Sequence, residues 1–460
     1  MPERQKIIEA MKDIVGEKYC LDSIEDLICF SYDAAIEEAI PDCVVRPGSV
    51  EEIARIMRWA NEEKIPVYPR GAGTGLSGGS IPLKGGIVLV TTRLNKILEI
   101  DTRDLFAVAE TGVITKDLHI KVTELGLLYP PDPSSMKTST LGGNVAENAG
   151  GLRGLKYGVT KDWILGLEVV TPLGDIINVG SKCVKSVSGF DLTRLFCGSE
   201  GLLGIITKIT VKLIPAPEHA ESMLAVFDDI NDAAKTVSEI IASGVIPATL
   251  EFLDNISINA VEDFKKIGLP RDAGAILLIE TDGCRASAIQ EAEKVVAICK
   301  IQGAREVKRA ANSEEKNKIW EGRRACLSAL ARVRPTTILE DATVPRSKIP
   351  EMVRGVREIA NKYSIQIGNF GHAGDGNLHP TILTDLRDKE EMGRVQVAID
   401  EIFALALRLG GTLTGEHGIG SAKKKYLVNE FGEKGVAVMR AIKSALDPNN
   451  ILNPGKMFLD

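Results

Sequence analysis

Two clusters of glycine constrain what this chain can fold into more than any other feature of its sequence. The 460 residues include 44 glycines, and many of them fall between Gly71 and Gly86 and between Gly142 and Gly158. Dense glycine weakens regular secondary structure, but it lets backbone amides approach a ligand closely. Either cluster alone is also typical of ordinary turns. The clusters therefore predict loops, of which ligand-binding loops are one kind.

The first cluster contains a dinucleotide-binding pattern in the wrong context. The segment Gly73–Gly78 matches GxGxxG and follows a predicted strand. In a Rossmann fold a helix begins on these glycines, because its N-terminus binds the pyrophosphate. Here Gly79, Pro82, Gly85 and Gly86 follow, so no helix of useful length can begin. The context excludes a Rossmann fold but suits a loop that binds phosphate through successive backbone N–H groups.

Length and charge exclude several classes of protein. At about 150 residues per domain the chain predicts three domains or lobes. Its 56 basic and 63 acidic residues give a formal net charge of −7, which leaves no broad basic face for a nucleic acid. The longest apolar runs are about six residues, against the ~20 of a transmembrane helix. The charged N-terminus does not resemble a signal peptide, so we expect a cytoplasmic protein.

The eight cysteines predict no metal cluster. None of them forms a CxxC pair, so a zinc ribbon or an iron–sulfur ligand run is excluded. Without a secretory signal, the cysteines are expected to be reduced thiols.

Hydrophobic periodicity changes character in the middle of the chain. In the first half, residues 5–15 and the segment after the capping box Ser49–Glu52 predict amphipathic helices, and strands predominate after residue 80. Pro215–Pro217 marks a boundary. Beyond it, elements in the order βαββαβ predict an antiparallel sheet with helices on one face. The remaining predictions are strands within 365–383 and helices near 389–409 and 433–445.

Three segments of the first half resemble the FAD-binding domain of the vanillyl-alcohol-oxidase type. Pro69–Gly79 resembles its pyrophosphate loop, Thr140–Gly151 its second flavin-contacting loop, and Gly198–Ile205 its closing strand near the adenine. The resemblance implies that the following residues contact FAD: Pro69, Arg70, Gly71, Ala72, Gly73, Thr74, Gly75, Leu76, Ser77, Gly78, Gly79, Pro133, Thr140, Leu141, Gly142, Gly143, Asn144, Asn148, Gly150, Gly151, Gly158, Gly201, Gly204, Ile205 and Asn453.

The resemblance also implies an architecture and a mode of cofactor binding. The fold class is α+β, with a two-subdomain FAD-binding domain over 1–215. A cap domain with a ferredoxin-like antiparallel sheet is expected over 216–420, and a helical tail over 421–460 returns to the FAD domain. Some members of this family attach the flavin through a histidine in or near the first loop, which here contains none. We therefore expect FAD to be bound non-covalently.

Three of the five histidines lie in two short motifs of the second half. His372 and His379 belong to Gly371–Pro380, and His417 follows Glu416 in Thr414–Gly420. A strand–turn–strand path can bring the first two together, and two imidazoles with one carboxylate form an open site for Zn²⁺ or Fe²⁺. Hydrogen bonding within loops is the structural alternative for each histidine. No HExxH motif is present, which argues against a metalloprotease.

The same two motifs resemble the C-terminal signatures of FAD-dependent D-2-hydroxy acid dehydrogenases, the group of D-lactate dehydrogenases and glycolate oxidase subunits. By that resemblance His372, His379 and Glu416 hold a divalent metal, and His417 is the catalytic base. Arg323 matches the arginine that binds the substrate carboxylate. The implied reaction is metal-assisted removal of the hydroxyl proton and hydride transfer from Cα to flavin N5.

The residues around these motifs predict a small monocarboxylate substrate. Ile338–Asp341 offers apolar and acidic side chains where members specific for 2-hydroxyglutarate carry a lysine, and Pro380–Thr381 departs from their asparagine. A second carboxylate would be left unpaired. We expect D-lactate, oxidised to pyruvate, with a glycolate oxidase subunit or a D-2-hydroxyglutarate dehydrogenase as alternatives within the family.

Other functions are compatible with the same flavin domain. They are an oxidase that reacts with dioxygen, an alkyl-glycerone-phosphate synthase, and a non-catalytic flavin-binding subunit of a larger complex. Because the chain has no iron–sulfur ligands, an electron-accepting protein is expected as partner, either an electron-transfer flavoprotein or an iron–sulfur subunit, as in related systems.

Overall fold

The structure is a computed structural model that describes residues 2–459, with side chains from residue 4 onward. The chain divides into two compact units. The first unit comprises Met1–Gly150, Val159–Ala216 and Glu416–Asp460, and the second comprises Gly151–Gly158 and Pro217–Gly415. Each unit has a hydrophobic core of its own.

Helices and strands alternate along the described part of the chain. The helices are α1 (Pro2–Val15), α2 (Ile24–Cys29), α3 (Val50–Glu63), α4 (Thr115–Thr123), α5 (Leu141–Glu147), α6 (Gly154–Tyr157), α7 (Leu192–Phe196), α8 (Ile230–Ala242), α9 (Asn255–Lys265), α10 (Arg285–Ile301), α11 (Ser313–Arg324), α12 (Cys326–Leu330), α13 (Ile349–Tyr363), α14 (Lys389–Arg408) and α15 (Leu427–Leu446). None of the helices within residues 2–459 is both long and apolar enough to cross a membrane.

The strands of the first unit are β1 (Cys20–Leu21), β2 (Cys43–Val45), β3 (Val67–Arg70), β4 (Ile87–Val90), β5 (Ile97–Asp101), β6 (Phe106–Glu110), β7 (Leu127–Leu128), β8 (Ile164–Val170), β9 (Ile176–Gly180), β10 (Ile205–Lys212) and β11 (Ile214–Pro215). Those of the second unit are β12 (His219–Phe227), β13 (Thr249–Asp254), β14 (Ala275–Gly283), β15 (Glu306–Arg309), β16 (Thr336–Leu339), β17 (Ala342–Thr343), β18 (Gln366–His372) and β19 (Asn377–Thr384).

The first unit is built on two larger sheets, in line with the predicted pair of subdomains. A four-stranded sheet has the order β1-β2-β4-β3, with β4 parallel to both of its neighbours, and an antiparallel sheet has the order β5-β6-β10-β8-β9. The predicted capping box begins α3: Ser49 accepts a hydrogen bond from the backbone N–H of Glu52. The apolar face of α3 packs into the core with Ile53, Ile56 and Met57.

The C-terminal segment belongs to the first unit. After α15, which is kinked at Gly432, the chain runs alongside β3. The N–H of Val67 donates to the carbonyl of Ile451, and the N–H of Asn453 donates to the carbonyl of Val67, both at 2.8 Å. Ile451 and Leu452 are buried in the same core as α3. This pairing fixes the position of Asn453.

The second unit contains one large antiparallel sheet. Its order is β15-β12-β14-β13-β18-β19-β16, and β17 pairs with β19. The first four strands have the ferredoxin-like arrangement that the βαββαβ pattern predicts, and α8 and α10 pack on β12 and β14. The strands β18, β19 and β16 extend this sheet beyond the ferredoxin-like part. The two motif histidines lie on that extension.

Several elements differ from the sequence expectations. Helix α9 occupies the interval between β13 and β14, where no helix is predicted, because Asp254 caps it locally. Part of the second glycine cluster is helical, since α5 begins after Thr140, whose hydroxyl accepts from the N–H of Gly143. The strand predicted before the first glycine cluster is β3, which runs through Pro69 to Arg70.

Candidate active site

The Gly71–Gly79 loop of the first unit follows β3 without entering a helix, as the context of its GxGxxG pattern predicts. Residues 71–86 form bends and turns. Gly73 has a φ angle of +70°, and a Cβ atom at this position would lie 2.1 Å from Nη2 of Arg70. Glycine is therefore required where the loop folds back on the strand.

The three segments that resemble a flavin domain come together in the first unit. A Cβ atom at Gly71 would lie 2.3 Å from Oγ1 of Thr140, so the first and second segments are in contact. The amide of Asn453 joins the first segment to the third, because its Nδ2 donates to the carbonyls of Gly79 at 3.0 Å and Glu200 at 2.7 Å. These contacts define a candidate cofactor site within one unit.

Polar atoms at this site fit a cofactor that offers many hydrogen-bonding groups. Among the described residues, Ser77 Oγ, Glu147 Oε2 and Asn453 Oδ1 are buried without a hydrogen-bond partner. Buried polar groups are almost always satisfied by protein, water or ligand. Burial raises the pKa of Glu147 well above its usual value, and the carboxylates of Glu200 and Asp33 raise it further. Burial thus favours the protonated form of the Glu147 carboxyl, which is the form that can donate a hydrogen bond to a ligand.

The other predicted cofactor residues are distributed over both units. Pro133 lies in a turn, and its carbonyl accepts a hydrogen bond from the N–H of Met136. Asn148 ends α5 in the left-handed conformation. Gly204 and Ile205 lead into β10, where a Cβ atom at Gly204 would approach Val169 within 2.4 Å. Gly151 and Gly158 lie in the second unit.

Glu200 holds the segment that contains His417. Its carboxylate accepts from the backbone N–H groups of Ile419 at 2.7 Å and Gly420 at 2.6 Å. On the other side of the segment, a Cβ atom at Gly150 would lie 2.6 Å from Oε2 of Glu416. The segment Glu416–Gly420 is thus fixed beside two of the three flavin-like segments. Glu200 is a residue of the third segment to which the sequence assigns no role.

In the second unit, the strand–turn–strand path brings His372 and His379 together as predicted. His372 ends β18 and His379 lies near the start of β19. Their ring centroids are 5.2 Å apart and the rings are perpendicular, and each residue is only 3% exposed. The turn needs Gly376, which has a φ angle of +90° and packs against the carbonyl of Val344.

Glu251 is a fully buried carboxylate between two of the predicted site residues. It lies on β13, and its Oε1 contacts Nδ1 of His372 at 2.8 Å. Its Oε2 accepts from Nε of Arg323 at 2.5 Å. Burial acts to raise the pKa of Glu251, but the charge of Arg323 and the hydrogen bonds from His372 and Arg323 outweigh it, so the pKa lies below its usual value. Glu251 is therefore ionised at neutral pH.

Arg323 is held in the interior at the end of α11. Its guanidinium stands over the ring of Phe370 at 4.9 Å from the centroid, and Phe370 in turn lies 5.4 Å from the ring of His379. The side chain is 3% exposed, and its Nη2 has no hydrogen-bond partner among the described residues. A buried guanidinium nitrogen without a partner is costly. This nitrogen is suited to an anionic ligand.

Asp341 organises the other side of the histidine pair. Its Oδ1 accepts from Nδ2 of Asn377 at 2.6 Å, and it lies 3.7 Å from Nδ1 of His379. Its Oδ2 accepts from the hydroxyl of Thr414 and from the N–H of Gly415 at 2.8 Å. Asp341 thus fixes the chain immediately before Glu416 next to His379.

The sequence analysis missed Glu251, Phe370 and Glu200, and it used Asp341 only to judge the substrate. A signal for Glu251 was present, because it is the one charged residue inside the run Thr249–Leu253 of a buried strand. Charged residues are almost never fully buried unless they are paired. Its partners Arg323 and His372 are 72 and 121 positions away, so the sequence could not identify them.

Comparisons with known proteins identify the family of this chain. The family described as an FAD binding domain matches residues 41–180, and the C-terminal domain of FAD linked oxidases matches residues 216–457. The chain belongs to the FAD-linked oxidases. This confirms the predicted group and an FAD-dependent oxidoreductase.

Two relatives match almost the whole chain. Glycolate oxidase subunit GlcD of Bacillus subtilis is 53% identical over 98% of this chain and 96% of that protein. D-lactate dehydrogenase of Anaerostipes hadrus is 36% identical, over 98% of this chain and 97% of that protein. Both names occur in the group that the C-terminal motifs resemble.

Two solved structures share the fold. p-Cresol methylhydroxylase superposes with a TM-score of 0.83 over 100% of this chain and 98% of that one, at 18% identity. 4-Ethylphenol oxidase of Gulosibacter chungangensis gives 0.81 at 19% identity, with the same coverage. These similarities confirm the vanillyl-alcohol-oxidase-type fold.

Proposed function

We propose that this protein oxidises a small 2-hydroxy monocarboxylate, glycolate or D-lactate, to the 2-oxo acid with FAD as the electron acceptor. The observation that supports it most directly is Nη2 of Arg323, buried without a partner beside a carboxylate and two histidines. A guanidinium pairs with a carboxylate through two parallel hydrogen bonds. Arg323 would bind the carboxylate that both substrates share.

A divalent metal, Fe²⁺ or Zn²⁺, would be held by His372, His379 and Glu416. Two adjacent imidazoles in a buried environment suit such an ion. Glu416 follows Gly415 directly in the chain, and the N–H of Gly415 is bound to Asp341 beside His379. When bound, the ion would act as a Lewis acid that lowers the pKa of the substrate hydroxyl.

His417 would accept the proton of that hydroxyl. A neutral imidazole suits this role because its usual pKa is near the working pH. The substrate then loses one proton from oxygen to His417 and one hydride from Cα, and it becomes the 2-oxo acid. FAD supplies the acceptor for the two electrons of that hydride.

FAD would be bound non-covalently in the first unit by the residues that resemble the flavin domain. The first loop contains no histidine, and His119 of the same unit contacts the carbonyl of Pro131 at 2.9 Å. Denaturation with acid should therefore release all of the flavin into the supernatant. Flavin that remains with the precipitated protein would contradict non-covalent binding.

Acidic neighbours argue for a monocarboxylate. Glu251 and Asp341 are both fully buried within the second unit, on either side of the two histidines. A second substrate carboxylate near them would be repelled and left without a partner. The sequence analysis ranks D-lactate first, and the relative with 53% identity, named as a glycolate oxidase subunit, adds glycolate as an equal candidate.

The reduced flavin would be reoxidised by a partner protein, either an electron-transfer flavoprotein or an iron–sulfur subunit. The word "subunit" in the name of the GlcD relative supports a protein that works with other chains. The eight cysteines of this chain contain no cluster motif, so any iron–sulfur relay would come from the partner.

Steady-state kinetics with an artificial electron acceptor test this proposal. We expect kcat/KM to be highest for glycolate or D-lactate and lower for L-lactate and D-2-hydroxyglutarate. A higher kcat/KM for D-2-hydroxyglutarate than for both small acids would contradict the monocarboxylate assignment. Turnover of none of these acids by protein that contains FAD would contradict the proposed reaction.

A further inference from the structure

We propose that Glu251 is a positioning residue that sets the tautomer of His372 and the orientation of Arg323 at the same time. This inference rests on the proposed function, since it concerns the metal and carboxylate sites assigned there. Glu251 would touch neither substrate nor metal itself. Its effect would pass through the two side chains that it contacts.

The geometry gives each oxygen of Glu251 a separate task. An ionised carboxylate only accepts hydrogen bonds, so the nitrogen that faces it in His372, Nδ1, must carry the proton. The distance of 2.8 Å is that of a good hydrogen bond. The lone pair of a neutral His372 is then on Nε2, the nitrogen that would bind the metal. Such outer partners commonly orient metal-binding histidines.

The second oxygen fixes Arg323. Its contact with Nε, at 2.5 Å, holds one edge of the planar guanidinium, while Phe370 supports its face. Because the guanidinium is planar and rigid, these two contacts also fix the position of Nη2. The same carboxylate therefore orders the metal-binding and carboxylate-binding groups, which a 2-hydroxy acid needs simultaneously.

Register in the sheet explains why one residue can do this. Phe252 on β13 pairs with Gly371 on β18, so the neighbouring Glu251 and His372 lie side by side on the same face. Helix α11 brings Arg323 to that face, and it is anchored on the sheet through Trp320, whose Nε1 donates to Glu280 and Ser222. The arrangement is built into two strands and one helix rather than into a mobile loop.

The substitution Glu251→Gln separates the two tasks. A carboxamide has one oxygen and one NH₂ group, whereas both of its neighbours are donors. Arg323 cannot give up its proton, so the amide oxygen must face Arg323 and the NH₂ group must face His372. Nδ1 would then become an acceptor, and the proton would move to Nε2. This blocks the nitrogen that should bind the metal.

The experiment measures Zn²⁺ affinity and the histidine tautomer in the FAD-loaded protein. Zn²⁺ is titrated against a chromophoric chelator, and the ring nitrogens are observed by NMR of ¹⁵N-histidine-labelled protein. With only five histidines, a His372→Gln sample identifies the His372 signals. In the wild type we expect the proton of His372 on Nδ1. In Glu251→Gln we expect it on Nε2, together with about 10- to 100-fold weaker Zn²⁺ binding.

Two further variants complete the test. Glu251→Asp keeps both oxygens, so it should keep the wild-type tautomer and recover part of the Zn²⁺ affinity. Glu391→Gln is the matched control: Glu391 is also a buried carboxylate of the second unit, but its partner is Arg334. It should leave both measurements unchanged. FAD content and circular dichroism identify any variant that fails to fold. If Glu251→Gln is such a variant, Glu251→Asp is compared with the wild type instead.

The outcomes distinguish this inference from the proposed function. If the wild type binds no Zn²⁺, the proposed metal site is wrong, and the tautomer alone then decides the role of Glu251. If the wild type binds Zn²⁺ and Glu251→Gln binds it equally well with an unchanged tautomer, the positioning role is wrong while the proposed function stands. An equal loss of Zn²⁺ affinity in Glu391→Gln would show that the effect is general destabilisation, and it would also overturn the inference.

Discussion

At the scale of single residues, Arg323 and Arg324 form a natural pair for testing the carboxylate site. Arg323 is buried against Glu251 and Phe370, whereas Arg324, the next residue, is exposed. Arg323→Ala should raise KM for glycolate or D-lactate and lower kcat/KM. The lost transition-state stabilisation should be about 2–5 kcal/mol, the range for truncating one partner of a buried charge pair. Arg324→Ala should change neither. Equal effects of the two substitutions in steady-state kinetics would show that Arg323 does not bind the substrate carboxylate.

His417 allows a second test of the same kind. If it is the base, His417→Gln should lower kcat by about 10²- to 10⁴-fold without changing the FAD content. His219→Gln is the control, because His219 lies on β12 and pairs with Glu221 at 2.7 Å. Full turnover by His417→Gln with substrate and an artificial acceptor would favour the alternative of a non-catalytic flavin-binding subunit.

Residue types and spacing identify the site residues only in part. The histidines and Glu416 were predicted because their motifs are dense in glycine and in groups that bind metals. Glu251 and Phe370 were not, since a carboxylate and a phenyl ring inside apolar strands have no local pattern. Their roles depend on contacts with Arg323 and His379 that only the folded sheet creates.

At the scale of elements, the Gly71–Gly79 loop should fail when Gly73 gains a side chain. Gly73→Ala would place Cβ 2.1 Å from Arg70 in a left-handed conformation, which costs about 1–2 kcal/mol for the conformation alone. Gly126→Ala has a similar φ angle of +72° but nothing within 4 Å. We expect purified Gly73→Ala to contain less FAD than the wild type. Gly126→Ala should contain as much, and equal FAD in both variants would argue against a tight loop.

Asp254 connects α9 to β18 and predicts a pH dependence of stability. Its carboxylate accepts from the N–H groups of Ser257 at 2.8 Å and Asn369 at 2.7 Å, and burial raises its pKa to about 6. The folded state therefore holds this proton to a higher pH than the unfolded chain does. Its contribution to the free energy of unfolding falls by about 3 kcal/mol at most as the pH rises from about 4 to about 6.

Asp254→Asn removes that titration but keeps a helix cap. Urea unfolding of both proteins should show that the wild type loses stability relative to Asp254→Asn between pH 4 and pH 6, and that the difference is constant above pH 7. A difference that does not change with pH would show that the pKa of Asp254 is not raised by folding.

Elements with a strong period were predictable, and those fixed by local capping or distant contacts were not. The predicted helix 389–409 is observed as Lys389–Arg408, and the capping box at Ser49 begins α3. Helix α9 was not predicted from the sequence; it begins at the Asp254 cap and packs on α12.

At the scale of the whole molecule, the βαββαβ pattern predicted the ferredoxin-like part of the second sheet but not its extension by β18, β19 and β16. After β14 ends at Gly283, the chain reaches β16 only at Thr336 and β18 only at Gln366. The pairing of β18 with β13 places Glu251 beside His372. Long-range strand pairing of this kind has no signal in a single sequence, which is why the motif histidines could be predicted and their environment could not.

The central claim is that a small 2-hydroxy acid reduces the flavin of this protein with the help of a divalent metal. The most direct test is the visible spectrum of the FAD-loaded protein without oxygen, after glycolate or D-lactate is added, before and after treatment with a chelator. The account predicts that the absorption of oxidised flavin disappears, that the chelator prevents this, and that added Zn²⁺ or Fe²⁺ restores it. A flavin that stays oxidised with both acids in the presence of metal would contradict the account.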